Sequence, residues 1–186
     1  MPESFLGDGL IFEEYLPVVW AEGLPMEGLM LSRLNADNHQ LLGAESSLDE
    51  ARVHDALKDE SLAVVQELQR LEFKVNVLLR LTAELVARNS GLPPAQRVRL
   101  TSSALEWFCE EAPVSGATGV LAVYVNSALP QPVKIPCVVA AVQPQDDLHI
   151  VQMQFTGLSD AVVEQLEKLI FRHHRRLVAG SRTTLG

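Results

Sequence analysis

Apolar residues return along this chain with two different periods. Between residues 26 and 90 they recur every three or four positions, the spacing of one helix face, whereas from 97 to 155 they alternate or form short runs between turn signals, as strands do. Ahead of both, Gly9-Leu-Ile-Phe-Glu-Glu-Tyr-Leu-Pro-Val-Val-Trp20 reads as one or two short strands within residues 5–24, with Pro17 marking an edge or a bend. In the helical stretch, Leu29, Met30, Leu34, Leu41 and Leu42 mark a first helix that Gly43 would stop. Ser47 and Glu50 have capping-box spacing for a second, which ends before Asp59 or continues with a bend.

The third helical segment, about residues 60–89, is the strongest local signal. With Ser61, Leu68, Val75 and Thr82 at position a, residues Val64, Leu71, Leu78 and Leu85 fall at d, a 3.5-residue period sustained over about four heptads. Val65, Leu79 and Val86 add apolar e positions, interrupted by Glu72, so the stripe is wider than a two-stranded coiled coil requires. This predicts an oligomerisation helix that meets more than one partner helix through Val64, Leu68, Leu71, Val75, Leu78, Thr82 and Leu85. The alternative is an antiparallel bundle in which the seam packs on the two preceding helices of the same chain. At about 1.5 Å per residue the segment would be on the order of 40 Å long, too long to be covered by a small barrel.

Gly91-Leu-Pro-Pro94 ends the helical region. Arg97-Val-Arg-Leu-Thr-Ser-Ser-Ala-Leu-Glu-Trp107 opens the strand region, and further runs follow at 105–109, 120–125, 133–142 and 148–155, separated by Ser-Gly, Pro-Gln-Pro and Pro-Gln-Asp-Asp turns. Short antiparallel strands joined by tight turns predict a small β-barrel. Ser159 is placed to cap a last helix whose Val162, Val163, Leu166, Leu169, Ile170 and Leu177 would cover the barrel. The fold class is α+β, an antiparallel barrel with a C-terminal helix and a long helical insert, in three parts at 5–24, 26–90 and 95–180.

Composition narrows the function. The chain has 186 residues, 47% of them apolar, enough for a real core. Its net charge of −9 repels polyphosphate and anionic lipid, which argues against nucleic acid or a membrane surface as partner. Met-Pro-Glu-Ser-Phe lacks the pattern of an export signal and no apolar run approaches the length of a membrane span, so a cytoplasmic location is expected. Cys109 and Cys137 sit in apolar strands without metal or redox spacing and are read as buried thiols. Asp37 with His39, the adjacent His173 and His174, and His149 lack a second ligand set or a partner base, and no nucleophile motif is present. No enzyme, metal or resident cofactor is expected.

The strand pair, Trp107-Phe-Cys-Glu-Glu, the Pro-rich turn, Val-Val-Ala-Ala-Val, Gln-Met-Gln-Phe-Thr-Gly-Leu and the closing Ile170-Phe-Arg-His-His-Arg-Arg together resemble the PilZ family over about residues 95–178. The resemblance implies a six-stranded barrel, with the segment near 9–22 as its separated first strand. It also implies cyclic di-GMP as the family's usual ligand. The heptad-bearing insert resembles a subgroup of PilZ-like proteins that assemble as tetramers. Binding members use an Arg-x-x-x-Arg segment before the barrel, whose guanidiniums meet phosphate and guanine, and an Asp/Asn-x-Ser-x-x-Gly turn. Aligned on the strand, Arg99 occupies the Asp/Asn position, Thr101 the Ser and Ala104 the Gly, and no arginine precedes Arg33. The Arg172-His-His-Arg-Arg176 run repeats the arginine spacing, but in the last helix, and is read as a solvated helix end.

Two functions follow from the resemblance. One is a homo-oligomeric adaptor, favoured as a tetramer, that does not bind cyclic di-GMP by the usual motif and contacts protein partners in motility, type IV pilus or virulence regulation. The other is a receptor that binds cyclic di-GMP or another anion in a changed geometry through Arg97, Arg99 and their neighbours; the degenerate motif positions are Arg97, Arg99, Thr101 and Ala104.

Overall fold

The computed structural model describes residues 5–7, 9–50, 67–68, 70–71, 73–75, 77–78, 81–82, 92–125 and 131–183. The elements are β1 (Phe12–Glu22), α1 (Gly28–Glu50), β2 (Ala95–Leu100), β3 (Ala104–Cys109), β4 (Thr118–Val123), β5 (Val133–Gln145), β6 (Leu148–Phe155) and α2 (Asp160–Thr183).

The six strands close into an antiparallel barrel in the order β1-β2-β3-β6-β5-β4. Alternation drives this arrangement: Phe12, Leu16 and Val18 of β1, Val98 and Leu100 of β2, and Leu121 and Val123 of β4 are buried. They fill one core with Leu105, Val139, Val151 and Met153. The single strand β1 closes the barrel by changing partner. Phe12 to Pro17 pair with β2 and Val18 to Glu22 with β4. Pro17 stands at the handover, where its missing N–H is tolerated and its carbonyl accepts the Tyr124 N–H at 3.1 Å. Gly119 of β4, opposite Glu22 at the other end of that ladder, is required there because a Cβ would lie 2.3 Å from the Ala21 carbonyl oxygen.

α2 covers the barrel end near Phe12 and Leu100. Val162, Leu166, Leu169 and Ile170 are buried as their spacing predicts, while Leu177 is exposed, one turn beyond the covered face. The Ser159 carbonyl accepts the Val162 and Val163 N–H groups at the start of the helix.

α1 is held by two amide clasps. The β5–β6 ladder ends at Cys137 opposite Phe155, so the preceding part of β5 has β4 on one side only. Asn38, 2% exposed, completes that open edge. Its Nδ2 donates to the Lys134 carbonyl at 2.7 Å and its Oδ1 accepts the Lys134 N–H at 3.0 Å. One turn earlier, Asn35 donates to the Gly157 carbonyl at 2.9 Å and accepts the Ser159 N–H at 3.0 Å.

The sequence expectation of two short helices here is corrected. α1 runs through Gly43 without a break, and Ser47 and Glu50 lie within it rather than at a new start. Gly43 does not adopt the positive φ of a helix stop. A lone interior glycine costs only about 1 kcal/mol, and Leu42 beside it is 1% exposed.

Of the heptad positions, Leu68, Leu71, Val75, Leu78 and Thr82 are helical, and all five are exposed in the single chain. Leu78 is 63% exposed and Val75 52%. Val64 and Leu85 lie outside the described residues. Among the described residues no helix is long and apolar enough to cross a membrane.

Candidate functional site

Strand register places Arg97 and Arg99 on the outer surface of the barrel. Arg99 pairs with Glu13 of β1 on one side and with Glu106 of β3 on the other, and Glu106 pairs in turn with Gln152 of β6. Opposed residues on one face approach to within about 5 Å, so this row forms a polar ladder over four strands. Arg99 Nη1 donates to Glu106 Oε2 at 2.6 Å, and its Nε lies 3.7 Å from Glu13 Oε2. Gln152 Nε2 donates to the other Glu106 oxygen at 3.2 Å. Both oxygens of a carboxylate only 6% exposed are therefore partnered.

Arg97, outward-facing on the same strand, belongs to the next row, opposite Tyr15. Its Nε and Nη2 both donate to Glu13 Oε1, at 2.9 and 2.6 Å, and its guanidinium lies 4.7 Å from the Phe108 ring centroid. Two guanidiniums thus face two carboxylates. The pair of charges that would attract a phosphodiester is compensated within the barrel surface.

Thr101 and Ala104 are used for the turn between β2 and β3. The Thr101 hydroxyl accepts the Ala104 N–H at 3.1 Å, and the Thr101 N–H donates to the Ala104 carbonyl at 2.9 Å. Thr101 is 9% exposed and Ala104 3%. The structure brings Arg97 and Arg99 together on one face and leaves Thr101 and Ala104 inside the hairpin, presenting no side-chain donor or acceptor to a ligand.

An open cleft of about 820 Å³ lies at the other end of β2 from α2, with Tyr15, Pro94, Arg97, Phe108 and Leu148 in its lining. Glu110, Glu111, Asp146 and Asp147 also line it, so its charge is negative once Arg97 is paired. Asp146 makes the tight turn between β5 and β6, with φ of 53°.

Cys109 and Cys137 are buried free thiols, and burial pushes their pKa values up to about 11 and about 12. His149 Nδ1 lies 3.0 Å from the Glu110 carbonyl oxygen. His173 packs its ring against Phe12, with centroids 4.2 Å apart. Among the described residues no group of three His, Cys, Asp or Glu side chains is arranged to hold a metal.

Comparison with known proteins decides the family. The chain matches the model of the atypical PilZ domain, described as a cyclic di-GMP receptor, over residues 42–183. The chain belongs to the atypical PilZ family. Among solved structures it is similar to a pathogenic protein from Xanthomonas campestris, a tetrameric PilZ domain self-assembled via an unusual helical bundle. That likeness has a TM-score of 0.74 at 22% identity, over 92% of this chain and 91% of that one, and it supports the fold. Among curated proteins none matches. The closed six-stranded barrel with its terminal helix is the PilZ architecture that the resemblance implied.

Sequence reasoning found the arginines of this PilZ surface and missed the acids that hold them. Glu13 is far from Arg97 in the chain, and only the β1–β2 register brings them side by side. Glu106 carried a nearer signal: it lies 7 residues after Arg99 across a turn, the placement of opposed side chains in a short hairpin.

Proposed function

We propose that this atypical PilZ chain is a non-enzymatic, cytoplasmic adaptor that self-assembles through its heptad helix. It displays several barrels to protein partners in motility, type IV pilus or virulence regulation and does not bind cyclic di-GMP by the family's usual groups. The observation that carries this reading is the engagement of Arg97 and Arg99 by Glu13 and Glu106. A phosphodiester would have to displace charge-assisted hydrogen bonds, each contributing roughly 1.5 to 3 kcal/mol. It would do so beside two carboxylates and without the acid or amide acceptor that reads guanine. A site that would otherwise be micromolar falls by such losses to about the millimolar range.

Self-assembly is supported by the exposed apolar row Leu68, Leu71, Val75 and Leu78, and by the helical-bundle tetramer of the Xanthomonas relative. Repetition of the barrel then raises avidity for a partner without a strong single site. The family's description as a cyclic di-GMP receptor favours the second reading, a changed dinucleotide site at the same arginines. Light scattering and calorimetric titration with cyclic di-GMP on one sample separate the two. The adaptor reading expects a mass several times that of the 20.4 kDa chain with no saturable heat, whereas saturable low-micromolar binding would establish the receptor.

A further inference from the structure

The cleft at the end of the barrel carries an inference about the partner. We propose that it is a docking groove for a basic, partly apolar peptide segment of another protein, an inference that rests on the adaptor reading above. Its floor is aromatic and aliphatic. Tyr15 is 68% exposed and Leu148 39%, while Phe108 lies buried beneath the Arg97 guanidinium. Tyrosine is among the side chains enriched in binding hot spots, and a volume of about 820 Å³ has room for a few side chains.

Charge selects the occupant. Glu110 and Glu111 follow β3, while Asp146 and Asp147 form the β5–β6 turn, so four carboxylates from two loops border one groove. Arg97, the one cation among the described lining residues, is already bonded to Glu13. An anionic ligand is repelled there, and a lysine or arginine is attracted both by the acids and by the exposed face of Tyr15. A bare metal ion is not the expected occupant, because no group of three His, Cys, Asp or Glu side chains among the described residues could hold one. A small polyamine would leave the apolar floor uncovered. A peptide that alternates basic and apolar side chains satisfies both halves of the groove.

Fluorescence anisotropy tests this with a fluorescein-labelled Arg-Trp-Arg-Leu-Arg peptide and a matched peptide carrying Glu in place of each Arg, in the absence of any dinucleotide. The basic peptide is expected to bind saturably and the acidic one not. The double change Glu110→Lys with Glu111→Lys should weaken binding at least about tenfold. The pair Asp37→Lys with Glu164→Lys, the same change in net charge on exposed helix positions, should weaken it by less than about threefold. Tyr15→Ala, at an exposed position, should cost about fivefold on its own and keeps the test valid if the charge reversals disturb folding. Equal losses in the two charge-reversed proteins, or no saturable binding of the basic peptide, would overturn the groove. Failure of the peptide leaves the adaptor reading standing, whereas saturable cyclic di-GMP binding sinks that reading whatever the peptide does.

Discussion

Replacing Glu13 and Glu106 by glutamine should convert the compensated surface into a weak anion site. Glutamine keeps the shape and one acceptor oxygen of each side chain while removing both negative charges. A phosphate seated against Arg97 and Arg99, which contact these acids at 2.6 Å, would lie about 6 Å from each carboxylate. At an effective dielectric between that of water and that of a protein surface, each like-charge repulsion is about 1.4 kcal/mol, or tenfold in affinity. The two changes together should bring cyclic di-GMP from about millimolar to tens of micromolar. Stability should respond differently at the two positions. Glu13 is nearly half exposed, so Glu13→Gln should cost at most about 1 kcal/mol. Glu106 is buried and Arg99 30% exposed, so Glu106→Gln should cost somewhat more, about 1 to 2 kcal/mol. Calorimetry on the wild type, both single variants and the double variant, in low salt, checks the affinities. If the double variant binds no better than the wild type while remaining folded, the acids are not what keeps the site shut.

Three further outcomes are expected. Asn38→Ala should destabilise the protein by about 2 to 4 kcal/mol, because both backbone groups of Lys134 lose their partner; a urea midpoint lowered by less than about 0.5 kcal/mol equivalent would show that the clasp is incidental. Leu78→Asp should dissociate the assembly to a folded chain of lower mass by light scattering, and an unchanged mass would favour an intramolecular bundle. The raised thiol pKa values mean that the native state holds these protons more tightly than the unfolded chain. Their contribution to stability is therefore whole below the ordinary value of 9.0 and is lost as pH climbs through about 11 for Cys109 and about 12 for Cys137. Denaturation at about pH 8 and pH 10 should show lower stability at the higher pH, with a shallower decline in Cys137→Ala.

What could be read before the structure was whatever depends on one element at a time. Strand alternation, turn residues and the buried stripe Val162, Leu166, Leu169 and Ile170 are local patterns, and each marks the element it belongs to. The Arg97 and Arg99 positions were legible for the same reason. The acids opposite them were not, because cross-strand neighbours depend on register, and the β1–β2 pairing reaches across residues 23–94. Gly43 misled because glycine permits a helix to stop without compelling it, and buried Leu42 outweighs the local preference. Asn35 and Asn38 carry no local signal of a partner. Their spacing puts them on one side of α1, but the open β5 edge that Asn38 completes exists only in the assembled barrel.

The partner change in β1 also governs the order of events during biosynthesis. Of the barrel strands β1 is made before the others, yet its two neighbours follow only after residues 23–94, so it waits without them through that interval. Helices form in microseconds, whereas closing so long a loop between strands is slow. A nascent chain therefore presents its exposed apolar helix before its barrel is complete. Under the self-assembly proposed above, copies translated side by side on one messenger RNA would begin to associate while each still lacks its closing seam, coupling subunit assembly to the rate of elongation.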